Sequence, residues 1–245
     1  MNTSEPTVPP NSGLLNVADI VVAPNAVFAR LRIVPTWGWA FLVASLLGIA
    51  GYLLGGPANM HAFETYGPAV YANTPQFQSM DAAHRAQAVQ NAMTYGRVFV
   101  QFAWVFVPIG LLFGSLIQAA IMLIARIITR AQGTFAQFYA LSMTTGVVSS
   151  LGFLLAGVIA VIRGPAAYAT PIAFQQGIPG LAMLAPGAGP KLAALLTVLN
   201  VTALWALVLA ALGLLAIGNF SRVAAWGTIL VSLLLTVLFV VSTAH

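Results

Sequence analysis

The chain has 245 residues, 60% of them hydrophobic and 5% charged, and a mean hydropathy of +0.95. A water-soluble domain carries about 25% charged residues, so nine Lys or Arg and four Asp or Glu cannot solvate a globule of this size, and the composition indicates an integral membrane protein. The net charge of +5 is spread singly or in pairs, which excludes a nucleic-acid surface, and the lack of cysteine excludes disulfides, thiolate metal sites and thiol catalysis.

The expected fold is all-α, a polytopic bundle of about five transmembrane helices behind an N-terminal interfacial helix. Residues 1–13 (MNTSEPTVPPNSG) are polar, hold three prolines and have no basic residue, so they read as a disordered tail rather than a cleaved signal. Residues 14–245 then form the membrane domain, with the first span retained as its anchor. A helix over 24–34 puts Val27, Phe28, Leu31 and Val34 on one face, flanked by Arg30 and Arg32. That pattern predicts an anchor in the plane of the membrane, with its apolar face in acyl chains and its guanidiniums on phosphates. Pro35 ends it, and Trp37 and Trp39 are expected at headgroup depth.

A span needs about 20 apolar residues. Five segments qualify: 38–56, 98–125, 140–162, 194–217 and 224–242. Pro108 predicts a kink in the second. The last two, joined by GNFSR, read as an antiparallel hairpin. One side would carry Arg30, Arg32, Arg126, Arg130 and Arg222; the other would carry Arg85, Arg97, Arg163 and Lys191. The first side has the greater positive charge on short loops, which places the N-terminus in the cytoplasm.

No Asp, Glu, Lys or His falls inside these five spans. A buried carboxylate or His would be the ordinary mark of proton relay or intramembrane proteolysis. In the 57–96 loop, His61 with Glu64 and Asp81 with His84 stand at i, i+3 and could together hold a metal such as zinc. An extramembrane helix capped at Thr74 or Ser79, with an ordinary Asp81–Arg85 pair, is the simpler reading. No catalytic, metal or cofactor residue is therefore assigned. PGAGPKL lacks the contiguous lysine and hydroxyl of a phosphate loop, and the 163–191 connection is expected to lie on the membrane or fold back over the bundle.

The polar and small residues within the spans are candidates for helix packing or for a small pocket. They are Gly110, Gly114 and Gln118 in the second span, Ser142, Gly146 and Ser150 at four-residue spacing in the third, and Asn200 and Trp205 in the fourth.

Three stretches together resemble the bacterial branch of the Yip family, the Ypt/Rab-interacting integral membrane proteins. They are APNAVFARLRIVPTWGWA before the first span, GTFAQFYAL at 133–141, and LNVTALWALVLAALGLLAI at 199–217. The likeness covers roughly residues 15–242. It implies a five-helix membrane domain with a cytosolic N-terminus, acting without catalysis. Asn200 stands where the bacterial pattern has Asp, and the acidic element of the eukaryotic pattern is missing, so no GTPase partner is inferred. The expected role is that of a scaffold, assembly factor or membrane organiser in a bacterial inner membrane. Its partners would be the lipid bilayer and other membrane proteins or copies of itself. The alternative is a transporter or channel subunit for a neutral or hydrophobic solute passing Asn200, Gln101, Gln118 and the third-span hydroxyls.

Overall fold

A computed structural model describes residues 11–170, 173–174, 176–185 and 188–243. Among these the architecture is an all-α bundle. Four helices are long and apolar enough to cross a membrane, or five if a pair bent by 53° counts as one span.

The first helix, α1 (Ser12–Asp19), begins inside the segment expected to be disordered: Ser12 is buried, and a Cβ on Gly13 would lie 3.0 Å from the Trp39 ring. Residues 1–10 of that predicted tail lie outside the described residues. The next helix, α2 (Pro24–Ile33), matches the predicted amphipathic helix in extent but not in surroundings. Val27, Phe28 and Leu31 are fully buried in the main core with Phe138, Leu214, Ile217 and Phe220. The apolar face is covered by protein rather than acyl chains. A hydrophobic stripe specifies burial but not the covering material.

Helix α3 (Gly38–Leu54) covers most of the predicted first span, and at Gly55 the chain bends into α4 (Gly56–Ala72), the two together forming the bent pair. The Phe174 ring packs against Gly55, where a Cβ would collide with the ring unless the ring moved. After the short α5 (Pro75–Gln78), α6 (Ala82–Phe102) runs back against α4. The 57–96 region is thus a helical hairpin, closed by Phe63 against Gly96 and by Glu64 to Arg97 at 3.0 Å.

Helix α6 continues into α7 (Phe106–Thr129) through a 3-10 turn at Ala103–Val105. Pro108 accounts for the break: it has no N–H for the Trp104 carbonyl and its ring crowds that carbonyl, so the helix tightens one turn earlier. The central helix is α8 (Phe135–Arg163), started by a capping box in which Thr134 Oγ1 accepts from Gln137 N and Gln137 Oε1 accepts from Thr134 N. Both α3 and α7 pack on one part of α8, and α10 (Val201–Gly218) packs on another. The closest approach is α3 to α8, where Gly51 and Gly157 bring backbone against backbone.

The predicted fourth span, 194–217, is not one helix. It divides into α9 (Pro190–Val198) and α10, because Leu199 and Asn200 leave helical geometry. Ahead of it, described residues of the 163–191 connection fold back over the bundle: Tyr168, Phe174 and Ile178 are buried with Ala58, Ala156 and Ala160. An isolated antiparallel bridge joins Gly180 to Asn200. Asn219, in the left-handed conformation, turns the chain into α11 (Arg222–Thr243), which packs on α10 and α7 as the expected hairpin.

Outward-facing positions are predominantly apolar along α7, α8 and α11. Phe113 and Ile117 on α7, Val161 and Ile162 on α8, and Leu238 and Phe239 on α11 are all exposed. A water-facing helix would place polar residues there; a lipid-facing one places these.

Candidate functional site

A cavity of about 420 Å³ lies on the face of α8 between α7 and α10, with α3 along one edge. Its floor is α8: Ser142, Thr145 and Ser150 are buried there, with Gly146 and Ser149 partly so. Its near wall is α7, through Phe106, Gly110, Gly114 and Gln118; its far wall is α10, through Ala206, Leu207 and Ala210. Gly110 and Gly114 are exposed, so the mouth opens along α7, on the apolar outer surface of the bundle.

Six of the eight residues picked out for packing or a pocket meet here: Gly110, Gly114, Gln118, Ser142, Gly146 and Ser150. The three glycines among them do not serve as close helix contacts. A Cβ added at Gly110, Gly114 or Gly146 would meet nothing within 4 Å. The glycines hollow out the space instead. Gln118 does act across helices, its Nε2 donating to Ser232 Oγ on α11 at 3.1 Å, which closes one end of the cavity. Thr145 donates back to the Ser142 carbonyl at 3.0 Å, within its own helix.

The other two stand apart. Asn200 is the N-cap of α10: its Oδ1 accepts from Ala203 N and from Thr202 Oγ1, both at 2.9 Å, and its Nδ2 donates to the Thr197 carbonyl at 3.0 Å. Its polarity is used at the helix start, neither between helices nor in the cavity. Trp205 is exposed and does not line the cavity.

The N-terminal candidates form a separate cluster. Arg30 Nη2 meets Asp19 Oδ2 at 2.7 Å and Arg30 Nε donates to Asn16 Oδ1 at 2.7 Å, so this guanidinium is bound to protein, not presented to phosphates. Arg32 is exposed, and its carbonyl accepts from Gln137 Nε2 at 2.6 Å. Trp37 and Trp39 are both exposed, and Trp37 packs edge-on to Tyr139 at 5.4 Å.

Three of the four residues weighed for a metal, Glu64, Asp81 and His84, are engaged in local contacts. Glu64 pairs with Arg97, and Asp81 is the N-cap of α6, accepting from Ala83 N and His84 N at 3.1 Å and from the His84 ring. The predicted Asp81–Arg85 pair does not form. Its carboxylate is engaged at the cap, while Arg85 donates to the carbonyls of Phe77, Gln78 and Met80. Among the described residues no group of three or more His, Asp or Glu is gathered for a metal.

A second cavity, of about 390 Å³, adjoins the first where α3 bends into α4. It is lined by Tyr52, Leu53, Gly56, Pro57, Met60, Arg97, Val100 and Gln101. Tyr52 lines both cavities and fixes its ring there by donating to the Val100 carbonyl at 2.7 Å. Sequence reasoning missed Tyr52, since one Tyr near a span end carries no pattern. The chain matches no family model, no curated protein and no solved structure.

Proposed function

We propose that this is a non-catalytic membrane protein that takes the uncharged, hydrophobic part of a solute into the cavity between α7, α8 and α10, to bind or to pass it. The observation that carries this reading is the set of open glycines. Gly110, Gly114 and Gly146 leave a space where side chains would otherwise fill the bundle. Volume and lining fit a small-molecule site, which is concave, mostly apolar and provided with a few polar groups. The lining has no Asp, Glu, Lys, Arg or His, so an ion would find no counter-charge in it.

The test is photolabelling of the reconstituted protein with a diazirine-bearing long-chain alcohol. Label is expected on peptides from residues 106–118 and 142–153, and is expected to disappear when Gly114→Leu and Gly146→Leu fill the space. Label spread evenly onto the lipid-facing residues Val161, Ile162, Leu238 and Phe239, unchanged in those variants, would refute the reading.

A second reading is a scaffold or assembly factor acting through helix contacts. The α4–α6 hairpin favours it, because Tyr66, Val70, Tyr95 and Phe99 are exposed there. Its test is whether Tyr95→Ser with Phe99→Ser dissolves a self-assembly seen by the wild type in nanodiscs.

Placement in a bacterial inner membrane with a cytoplasmic N-terminus is part of the proposal. It is supported by Arg30, Arg32, Arg126, Arg130 and Arg222, whose segments meet at one end through the Gln137–Arg32 and Gln132–Gly218 hydrogen bonds. Membership of the bacterial Yip branch is proposed on the sequence resemblance alone.

A further inference from the structure

The two cavities differ in one chemical respect. The first is lined by no ionised group, and the second holds Arg97, with Gln101 one turn further along the same helix face. Tyr52 is common to both linings, so a single ring stands between the two spaces. Along the α6–α7 axis, thirteen residues separate Arg97 from Gly110, or about 20 Å at 1.5 Å per residue. That is enough to cover the ~15 Å half-thickness of a hydrocarbon core. At about 30 Å³ per water-sized group, the first cavity holds roughly fourteen such groups, one extended chain's worth.

Arg97 sits near the end of α6, immediately before the apolar run that starts at Val98, at the end of that path. Its side chain is more than half exposed and meets Glu64 through one nitrogen, Nη2, at 3.0 Å. A guanidinium offers five N–H donors in a fork that matches a planar anion. An anionic group arriving from the second cavity can therefore compete with a one-point contact by making a two-point one. The Gln101 amide stands beside it as a further donor.

We propose that the solute is a single-chain amphiphile with an anionic head. Its chain lies in the glycine-lined cavity, it passes Tyr52, and its head is held by Arg97 and Gln101. This rests on the reading of the first cavity as a hydrophobic binding site and adds the headgroup chemistry to it.

The experiment uses the full chain in nanodiscs of zwitterionic lipid at alkaline pH, with a long-chain fatty acid and the fatty alcohol and alkylamine of equal chain length. Partition into empty discs is subtracted. The acid is expected to bind about tenfold more tightly than the alcohol, in keeping with a charge-assisted hydrogen bond, and the amine least tightly. Arg97→Gln should abolish the acid's advantage and leave the alcohol unchanged. Glu64→Gln should strengthen acid binding by freeing the guanidinium. Equal binding of acid and alcohol, or an unchanged acid affinity in either variant, would overturn the headgroup assignment while leaving the cavity reading intact. If the alcohol itself does not bind and Gly114→Leu changes nothing, the cavity reading falls as well.

Discussion

Replacing Gly51 or Gly157 with alanine should separate helices that the fold holds backbone to backbone. A Cβ on Gly51 would overlap the Phe153 carbonyl oxygen and lie 2.7 Å from Leu154 N; one on Gly157 would overlap the Gly51 carbonyl and lie 2.9 Å from Gly51 Cα. These are main-chain atoms of two long helices, so no side chain can rotate aside. Overpacking of this kind costs about 1–3 kcal/mol. Gly110, Gly114 and Gly146 are different: nothing lies within 4 Å of an added Cβ. Alanine there removes the helix penalty of glycine and should stabilise by about 0.5–1 kcal/mol. For a chain of this size each kcal/mol shifts Tm by roughly 2–4 °C. Gly51→Ala and Gly157→Ala should then lower Tm by roughly 2–12 °C, and the other three should hold or raise it. Thermal unfolding of the purified variants in one detergent measures this. A Gly51→Ala protein as stable as Gly114→Ala would mean that α3 and α8 are not in backbone contact, and the packing argument would fail.

Two further outcomes follow from capping. Asn200→Leu removes the acceptor for Ala203 N and should cost about 1 kcal/mol, whereas Asn200→Ser keeps an acceptor and should cost a few tenths; equal Tm values for the two would exclude the capping role. At Asp81 the His84 backbone N–H, and then the His84 ring, hold the carboxyl below its ordinary range. Its folded pKa is thus below its unfolded one. The support it gives the first turn of α6 is complete above the unfolded value and is lost as pH falls through the folded value. Amide protection at Ala83 and His84, corrected for intrinsic exchange, should drop only in strong acid, and Asp81→Asn should remove that step. An identical acid step in Asp81→Asn would place its origin elsewhere.

The sequence disclosed the fold class and the broad position of every span because lipid imposes one strong rule: backbone must bond within its own helix and side chains facing lipid must be apolar. It was less exact where the chain leaves that environment. Span four was read through Asn200 because Leu199 and Val201 keep the hydropathy high on both sides of a helix break. The start of α8 was legible in the Thr134–Gln137 capping box, whose residues stand at the usual spacing ahead of the apolar run. For α2 the face was correct and its cover was not. Phe28 and Leu31 would be apolar against acyl chains or against Leu214 and Ile217, and only the tertiary fold distinguishes the two. Arg30 held a clue, since Asp19 is one of only four acids in the chain and lies eleven residues away.

The glycines carry the sharper lesson. Small residues at four-residue spacing are normally read as a surface for close helix approach, because they let backbones come together. That holds for Gly51 and Gly157, which face each other across α3 and α8. It does not hold for Gly110, Gly114 and Gly146, which face a gap. Both sets lie in apolar helices, and neither local sequence says whether a partner helix arrives. The difference is set by third parties. Gln118 bonds to Ser232 and so fixes α7 to α11 at one end, while the Tyr52 ring, held to Val100, keeps α3 and the α6–α7 junction in register at the other. Between those two ties α7 is held at a distance from α10, and missing side chains become volume. A cavity made in this way is as much a property of its ties as of its lining. Gln118→Leu should therefore alter solute binding even though leucine would suit an apolar wall, and photolabel yield in that variant matching wild type would show that the glycines alone keep the space open.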